Sequence, residues 1–211
     1  MTAASWILAA VAAVLGVTDW WAVWAGRRPV RWITKPGSLA ALVGVAATLD
    51  PADPTVRTWM VVGLVLSLAG DVFLLMDERF FIAGLASFLL AHVAYIVGLN
   101  LAPTSAGWAL VGLAVVLVAV AAALRPILQA VARGDHRGML GPVVVYSLVI
   151  SAMLVSAFGT GDARAVVGAG LFYVSDATLA VNRFVAPRRL LDVAVMVTYH
   201  LGQAGLVAWR V

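Results

Sequence analysis

Residues 56–76 read VRTWMVVGLVLSLAGDVFLLM, and beyond the first turn they hold one ionisable side chain, Asp71. A helix needs about 20 largely apolar residues to cross a bilayer, and this stretch supplies them. Seven further stretches of the same kind extend outward from it: 5–25, 33–49, 80–101, 107–124, 140–158, 165–181 and 190–209. Of the 211 residues, 64% are hydrophobic and 11% are charged, and the mean hydropathy is +1.03. A soluble domain carries about 25% charged residues. A chain this apolar cannot cover itself with a water-compatible surface, so its solvent is lipid. Helices satisfy their own backbone groups there. The expectation is an all-α, polytopic membrane protein of about eight transmembrane helices, forming a single domain over 1–211. Residues 1–16 lack a positively charged leader region, so they read as part of the first span and not as a removed signal.

Orientation follows from the cations. With eight spans, the odd-numbered loops and their flanks hold eleven Lys and Arg residues, and the opposite side holds three: Arg57, Arg164 and Arg210. That bias predicts a multi-pass protein of the cytoplasmic membrane, with the odd loops in the cytoplasm and both termini outside. The cations are spread along the loops, which argues against a nucleic-acid partner. The absence of cysteine excludes disulfides, thiolate nucleophiles and thiolate metal sites. His92, His136 and His200 are too scattered for a zinc site, so no metal and no cofactor is expected. There is no Gly-rich phosphate loop, no HExxH and no Gly-x-Ser-x-Gly elbow.

A weak repeat runs through the chain. The third span ends GDVFLLMDERF and the seventh ends SDATLAVNRF. Asp71 and Asp176 are 105 positions apart, Pro36 and Pro142 are 106 apart, and His92 and His200 are 108 apart. This spacing predicts two parallel four-helix halves, with the two aspartates facing each other across the axis between them.

A charge inside a spanning helix costs a few kcal/mol even on the mildest scale, so such residues face the bundle interior and mark function. Asp71 and Asp176 each lie about five residues, or roughly 7 Å, from the cytoplasmic end of their spans. Their matched depth points to one site. Asp71 shares a face with Gly63, Ser67 and Gly70, a small-residue stripe that suits close helix packing. Lys35, the only lysine, precedes Pro36 at the expected start of the second span and is a candidate ion-pair partner or phosphate contact. Arg183 can reach Asp176 or a lipid phosphate. Tyr146 lies near the depth of the aspartates. His92, Tyr199, His200 and Gln203 lie deeper and complete the candidate site. Asp19, between Thr18 and two tryptophans, reads as an interface residue.

Several pieces together resemble the YhhN-like, or lysoplasmalogenase, family of membrane proteins. They are TKP at 34–36, SLAGDVFLLM at 67–76, PVVVYSLVISAM at 142–153, SDATLAVNRF at 175–184 and TYHLGQ at 198–203, with a Phe81–Ile96 stretch between the first two and the rest. The resemblance implies an eight-helix hydrolase with a lysophospholipid substrate. It would cleave the vinyl-ether bond of a lysoplasmalogen to a fatty aldehyde and a glycerophospho-ethanolamine or -choline. It implies that Asp71 and Asp176 are catalytic, one as acid and one as carboxylate, a division of labour that glycosidases use for a similar cation. Lys35 or Arg183 would then hold the lipid phosphate. The same two aspartates and two histidines also fit a proton-coupled transporter of a small molecule or lipid, which is the competing expectation. The aspartates could also serve as packing pairs only.

Overall fold

The computed structural model describes residues 2–48, 53–133 and 137–210, so His136 lies outside the described residues. Nine α-helices follow in order among them: α1 Ala3–Trp24, α2 Arg28–Thr48, α3 Pro54–Leu75, α4 Phe81–Leu101, α5 Ala106–Ala119, α6 Arg125–Arg133, α7 Leu140–Gly159, α8 Ala163–Phe184 and α9 Arg189–Arg210. Side-chain caps begin several of them. Asp53 accepts from the amides of Thr55 and Val56 ahead of α3, with Pro54 in the first turn, where its missing N–H is not needed. Ser105 caps α5, and Asp162 caps α8. The turns after α1 and α7 each contain a glycine with φ of +67°, Gly26 and Gly161, a conformation that a side chain resists.

By length and apolarity six helical segments can cross a membrane: α1, α3, α4, α7, α8 and α9, with α4 and α7 counted together with the short 3₁₀ turns before them. Their outward faces carry exposed Trp6, Val14, Leu90, Leu148 and Leu190, as a lipid-facing surface should. A seventh candidate is α5 joined to α6, bent by 42°. The eighth expected span, α2, has the length, but Arg28, Arg31 and Lys35 lie in its first eight residues.

Two boundaries differ from the sequence reading. Helix α2 begins at Arg28 and not at residue 33, so Pro36 sits inside the helix and not in its first turn. The three cations are spaced i, i+3 and i+7, which puts them on one helical face where the bundle uses them. The stretch after Leu124, read as a loop, is the short helix α6. Its charges Arg125 and Arg133 are exposed, while Ile127 and Val131 are buried against Val143. That is an amphipathic helix, which a search for uniform apolarity misses.

The helix pairing is that of two halves, α1–α4 and α5 with α7–α9. Within them α1 packs on α2 as α5 packs on α7, α2 on α3 as α7 on α8, and α3 on α4 as α8 on α9. Across them α2 meets α9 as α7 meets α4. Helix α1 also packs on α9. The closest approach is between α8 and α9: a Cβ on Gly202 would stand 2.8 Å from the Phe172 amide nitrogen, and one on Gly168 2.6 Å from that of Leu206. Between α3 and α4 the glycines receive rings instead, Tyr95 over Gly63 and Phe88 over Gly70. The small-residue face of α3 is therefore a set of sockets.

The α8 cap gives a first test. Arg164 donates through its Nη2 to Asp162 Oδ2 at 3.1 Å, and its amide donates to Oδ1 at 2.8 Å. These bonds, the guanidinium's first, hold the Asp162 carboxyl below its ordinary value. A depressed carboxyl stabilises the fold above its unfolded pKa of about 3.9 and loses that contribution as pH falls through the lower folded value. Asp162→Ala should cost about 1 kcal/mol near neutral pH. The difference in thermal midpoint from wild type should shrink below about pH 4; a pH-independent difference would show that the cap does not act through its charge.

Candidate active site

Asp71 is fully buried on α3, and its partners come from two other helices. The Lys35 ammonium on α2 lies 3.0 Å from Oδ1, at ion-pair distance but off the direction of a well-formed hydrogen bond. The Tyr199 hydroxyl on α9 donates to Oδ2 at 2.8 Å. Lys35 is itself almost wholly buried and lies 5.8 Å from the Tyr199 ring centroid, within cation–π reach. A buried lysine and a buried aspartate at this distance offset each other's loss of hydration, which neither could bear alone.

Asp176 on α8 is built differently. The Tyr146 hydroxyl on α7 donates to its Oδ2 at 2.5 Å. His92 Nε2 on α4 lies 3.2 Å from the same oxygen and 2.9 Å from the Tyr146 hydroxyl. His92 Nδ1 is buried with no partner, which fits the tautomer that carries its proton on Nε2 and donates it. Among the described residues no Lys or Arg pairs with this cluster. The Asp176 side chain is 13% exposed, whereas that of Asp71 lies under Lys35 and Tyr199 at the cavity wall.

Each aspartate therefore takes one partner from the second helix of its own half and one from the last helix of the other half. Phe172 fills the space between the clusters, with its ring 4.8 Å from His92 and 5.4 Å from Tyr199. Both carboxylates line one cavity of about 670 Å³. Its walls include Leu85, Phe88, Ile127, Val143 and Ile150, and its rim includes Asp77, Arg188 and Arg189 at the Arg-rich ends of the helices. Among the contacts described, no hydrogen bond joins Asp71 to Asp176. They form two separately partnered clusters on one cavity.

The remaining candidates divide. Lys35, Tyr146 and Tyr199 line the cavity with the aspartates. Arg183 also lines it, but its partner is Glu78, with the guanidinium 4.5 Å from the Phe81 ring centroid; it does not reach Asp176. His92 does not line the cavity and acts on it through Asp176. His200 and Gln203 lie behind it. His200 Nδ1 accepts from Trp20 Nε1 at 2.9 Å, and Gln203 Oε1 accepts from the Tyr95 hydroxyl at 2.7 Å. Asp19, read as an interface residue, is fully buried and pairs with Arg31 at 3.3 Å and Thr34 at 3.0 Å. Its place twelve residues before Arg31 and on the depth of the other aspartates was the available signal.

An all-helical membrane bundle with two separately partnered carboxylates on one apolar cavity defines the class of protein. The chain belongs to the YhhN family, whose family model matches residues 30–209. It is similar to human "Lysoplasmalogenase TMEM86B", 31% identical over 140 residues, which cover 66% of this chain and 58% of that protein. It is similar to the mouse protein of the same name, 33% identical over 151 residues, covering 71% of this chain and 62% of that one. The "Lysoplasmalogenase" of Mycobacterium tuberculosis (strain CDC 1551 / Oshkosh) is 31% identical over 174 residues, covering 77% and 63%. The matches thus span about three fifths of the length of these curated relatives. No solved structure matches the chain.

Proposed function

We propose that this protein hydrolyses the vinyl-ether bond of a lysoplasmalogen, releasing a fatty aldehyde and a glycerophospho-ethanolamine or -choline. The observation that carries the reading is the unequal equipment of two carboxylates on one cavity. Asp71, beside Lys35, serves as the carboxylate. Asp176, held through one oxygen by Tyr146 and His92 and open to the cavity, is the acid. Asp176 gives its proton to the β-carbon of the vinyl ether, leaving an oxocarbenium ion at the α-carbon. Asp71 stabilises that cation and takes a proton from the water that adds to it. The hemiacetal then collapses, its hydroxyl proton passing to the glycerol oxygen, to give the aldehyde and the free glycerol hydroxyl, and the proton held by Asp71 returns through water to Asp176. One water is consumed. His92 and Tyr146 are positioning residues that hold the acid, and the apolar walls take the hydrocarbon chain.

The test is aldehyde release from a lysoplasmalogen by the purified, monodisperse protein in detergent. Turnover is expected, and a folded protein that releases none overturns the reading. Activity should persist in EDTA, because among the described residues no three His, Asp or Glu side chains gather as metal ligands. Loss in EDTA that a divalent ion restores would end the metal-free mechanism.

The same reading places the cavity mouth at the cytoplasmic face of the cell membrane, with both termini outside. Asp77→Cys and Thr104→Cys, both at exposed positions, should react with impermeant thiol reagents from opposite sides. Labelling of Asp77→Cys in intact cells would invert the orientation.

A further inference from the structure

The two cations first considered for the lipid phosphate each pair with a carboxylate that also lines the cavity, Lys35 with Asp71 and Arg183 with Glu78. Three other arginines line the cavity, Arg31, Arg188 and Arg189, the last donating through Nη1 to the Trp24 carbonyl. Arg31 lies one helical turn before Lys35, toward the rim. Its Nε is bound to Asp19 Oδ1 and its Nη2 to Met196 Sδ at 3.3 Å, and its side chain is 24% exposed. A guanidinium carries five N–H donors, so three remain without a described protein partner. Arg188 stands on the rim, exposed, with no side-chain partner described; only its backbone amide is used, donating to Asn182 Oδ1 at 2.6 Å. The guanidinium fork suits two oxygens of one phosphate.

Resting on the lysoplasmalogen reading, we propose that Arg31 and Arg188 form the phosphate subsite, and that Asp19 is the positioning residue that aims Arg31. Asp19 belongs to α1, outside the residues that the family model matches. It is wholly buried and accepts from both Arg31 and Thr34, so the guanidinium of this cavity-lining arginine is tethered through Nε, with Nη1 free of any described partner. The spacing suits a lysophospholipid. Arg31 and Lys35 are separated by about 6 Å of helix rise, and the phosphate and the vinyl-ether oxygen of the lipid sit at opposite ends of a three-carbon glycerol. A phosphate on Arg31 therefore leaves the ether bond beside the Lys35–Asp71 pair. The acidic groups near the rim do not compete for these arginines: Asp77 pairs with Arg79, Glu78 with Arg183, and Asp192 accepts from Asn182.

The experiment reads binding and not turnover. Two non-hydrolysable probes are titrated onto the purified protein: an alkyl-ether lysophosphoethanolamine, and the matching alkylglycerol, which lacks the phosphate. Wild type should prefer the phosphorylated probe. Arg188→Gln, at a position whose side chain has no described partner, and Arg31→Gln should each weaken the phosphorylated probe by about tenfold or more while leaving the alkylglycerol unchanged. Asp19→Asn should show the same selective loss, and Asp19→Glu should recover part of it. A variant that keeps alkylglycerol binding and also keeps full affinity for the phosphorylated probe removes that arginine from the subsite and overturns the proposal. Equal binding of both probes by wild type overturns the lysophospholipid reading along with it. Inorganic phosphate is the third arm. If it binds in an Arg31-dependent way while the lipid probes do not discriminate, the site is for free phosphate and the headgroup assignment is overturned.

Discussion

Asp176→Asn should stop aldehyde release, with a loss of at least the ~10²–10⁴-fold usual for removing a general acid. It is the cleaner of the two aspartate substitutions. The partners of Asp176 are the Tyr146 hydroxyl and His92 Nε2, which still donate to the amide oxygen of an asparagine. No buried cation is left unpaired, so folding and binding of a lysophospholipid should survive. Asp71→Asn should lose as much activity but with a lower thermal midpoint, because it strands Lys35. The check is single-turnover aldehyde release together with thermal unfolding of both variants in one detergent. Wild-type turnover by folded Asp176→Asn would take Asp176 out of the chemistry.

Lys35→Met should be the most destabilising of the single changes considered. It leaves Asp71 buried opposite an apolar side chain, and breaking a buried pair by removing one partner costs about 3–5 kcal/mol. The double variant Lys35→Met/Asp71→Asn removes both charges at once. It should recover most of the lost stability and none of the activity. Thermal midpoints of the four proteins form a cycle, and the pair is real if the double variant is clearly more stable than the sum of the singles. Additive losses would mean that the 3.0 Å approach carries no coupling.

What the sequence discloses here is depth along each helix. Apolar length places the spans, and similar distance from the cytoplasmic ends puts Asp71, Asp176 and Tyr146 at one level, where they line one cavity; Lys35 joins them because α2 begins at Arg28 and not at residue 33. Depth does not disclose facing. His200 and Gln203 match their neighbours in height but turn toward Trp20 and Tyr95, behind the cavity. Asp19 was misread because tryptophans beside an aspartate look like an interface belt, whereas Trp20 points inward to His200 and Trp21 points out. Arg183 turns from Asp176 to Glu78, which lies in a short turn that no periodicity marks and meets α8 only in three dimensions. Helix α6 escaped because it is half polar.

The crossing of partners between the halves has a mechanical meaning. Tyr199 reaches Asp71 from the far half, and His92 reaches Asp176 from the near one, so both clusters straddle the same seam. A carrier that rocks one half against the other would open that seam on every cycle. Here a rocking stroke would strip the tyrosine from one carboxylate and the histidine from the other together, with the Gly168–Gly202 backbone contact holding α8 and α9 as a single strut. On the proposed hydrolase reading the architecture is a clamp and not a pivot, joining both carboxylates to groups from across the seam.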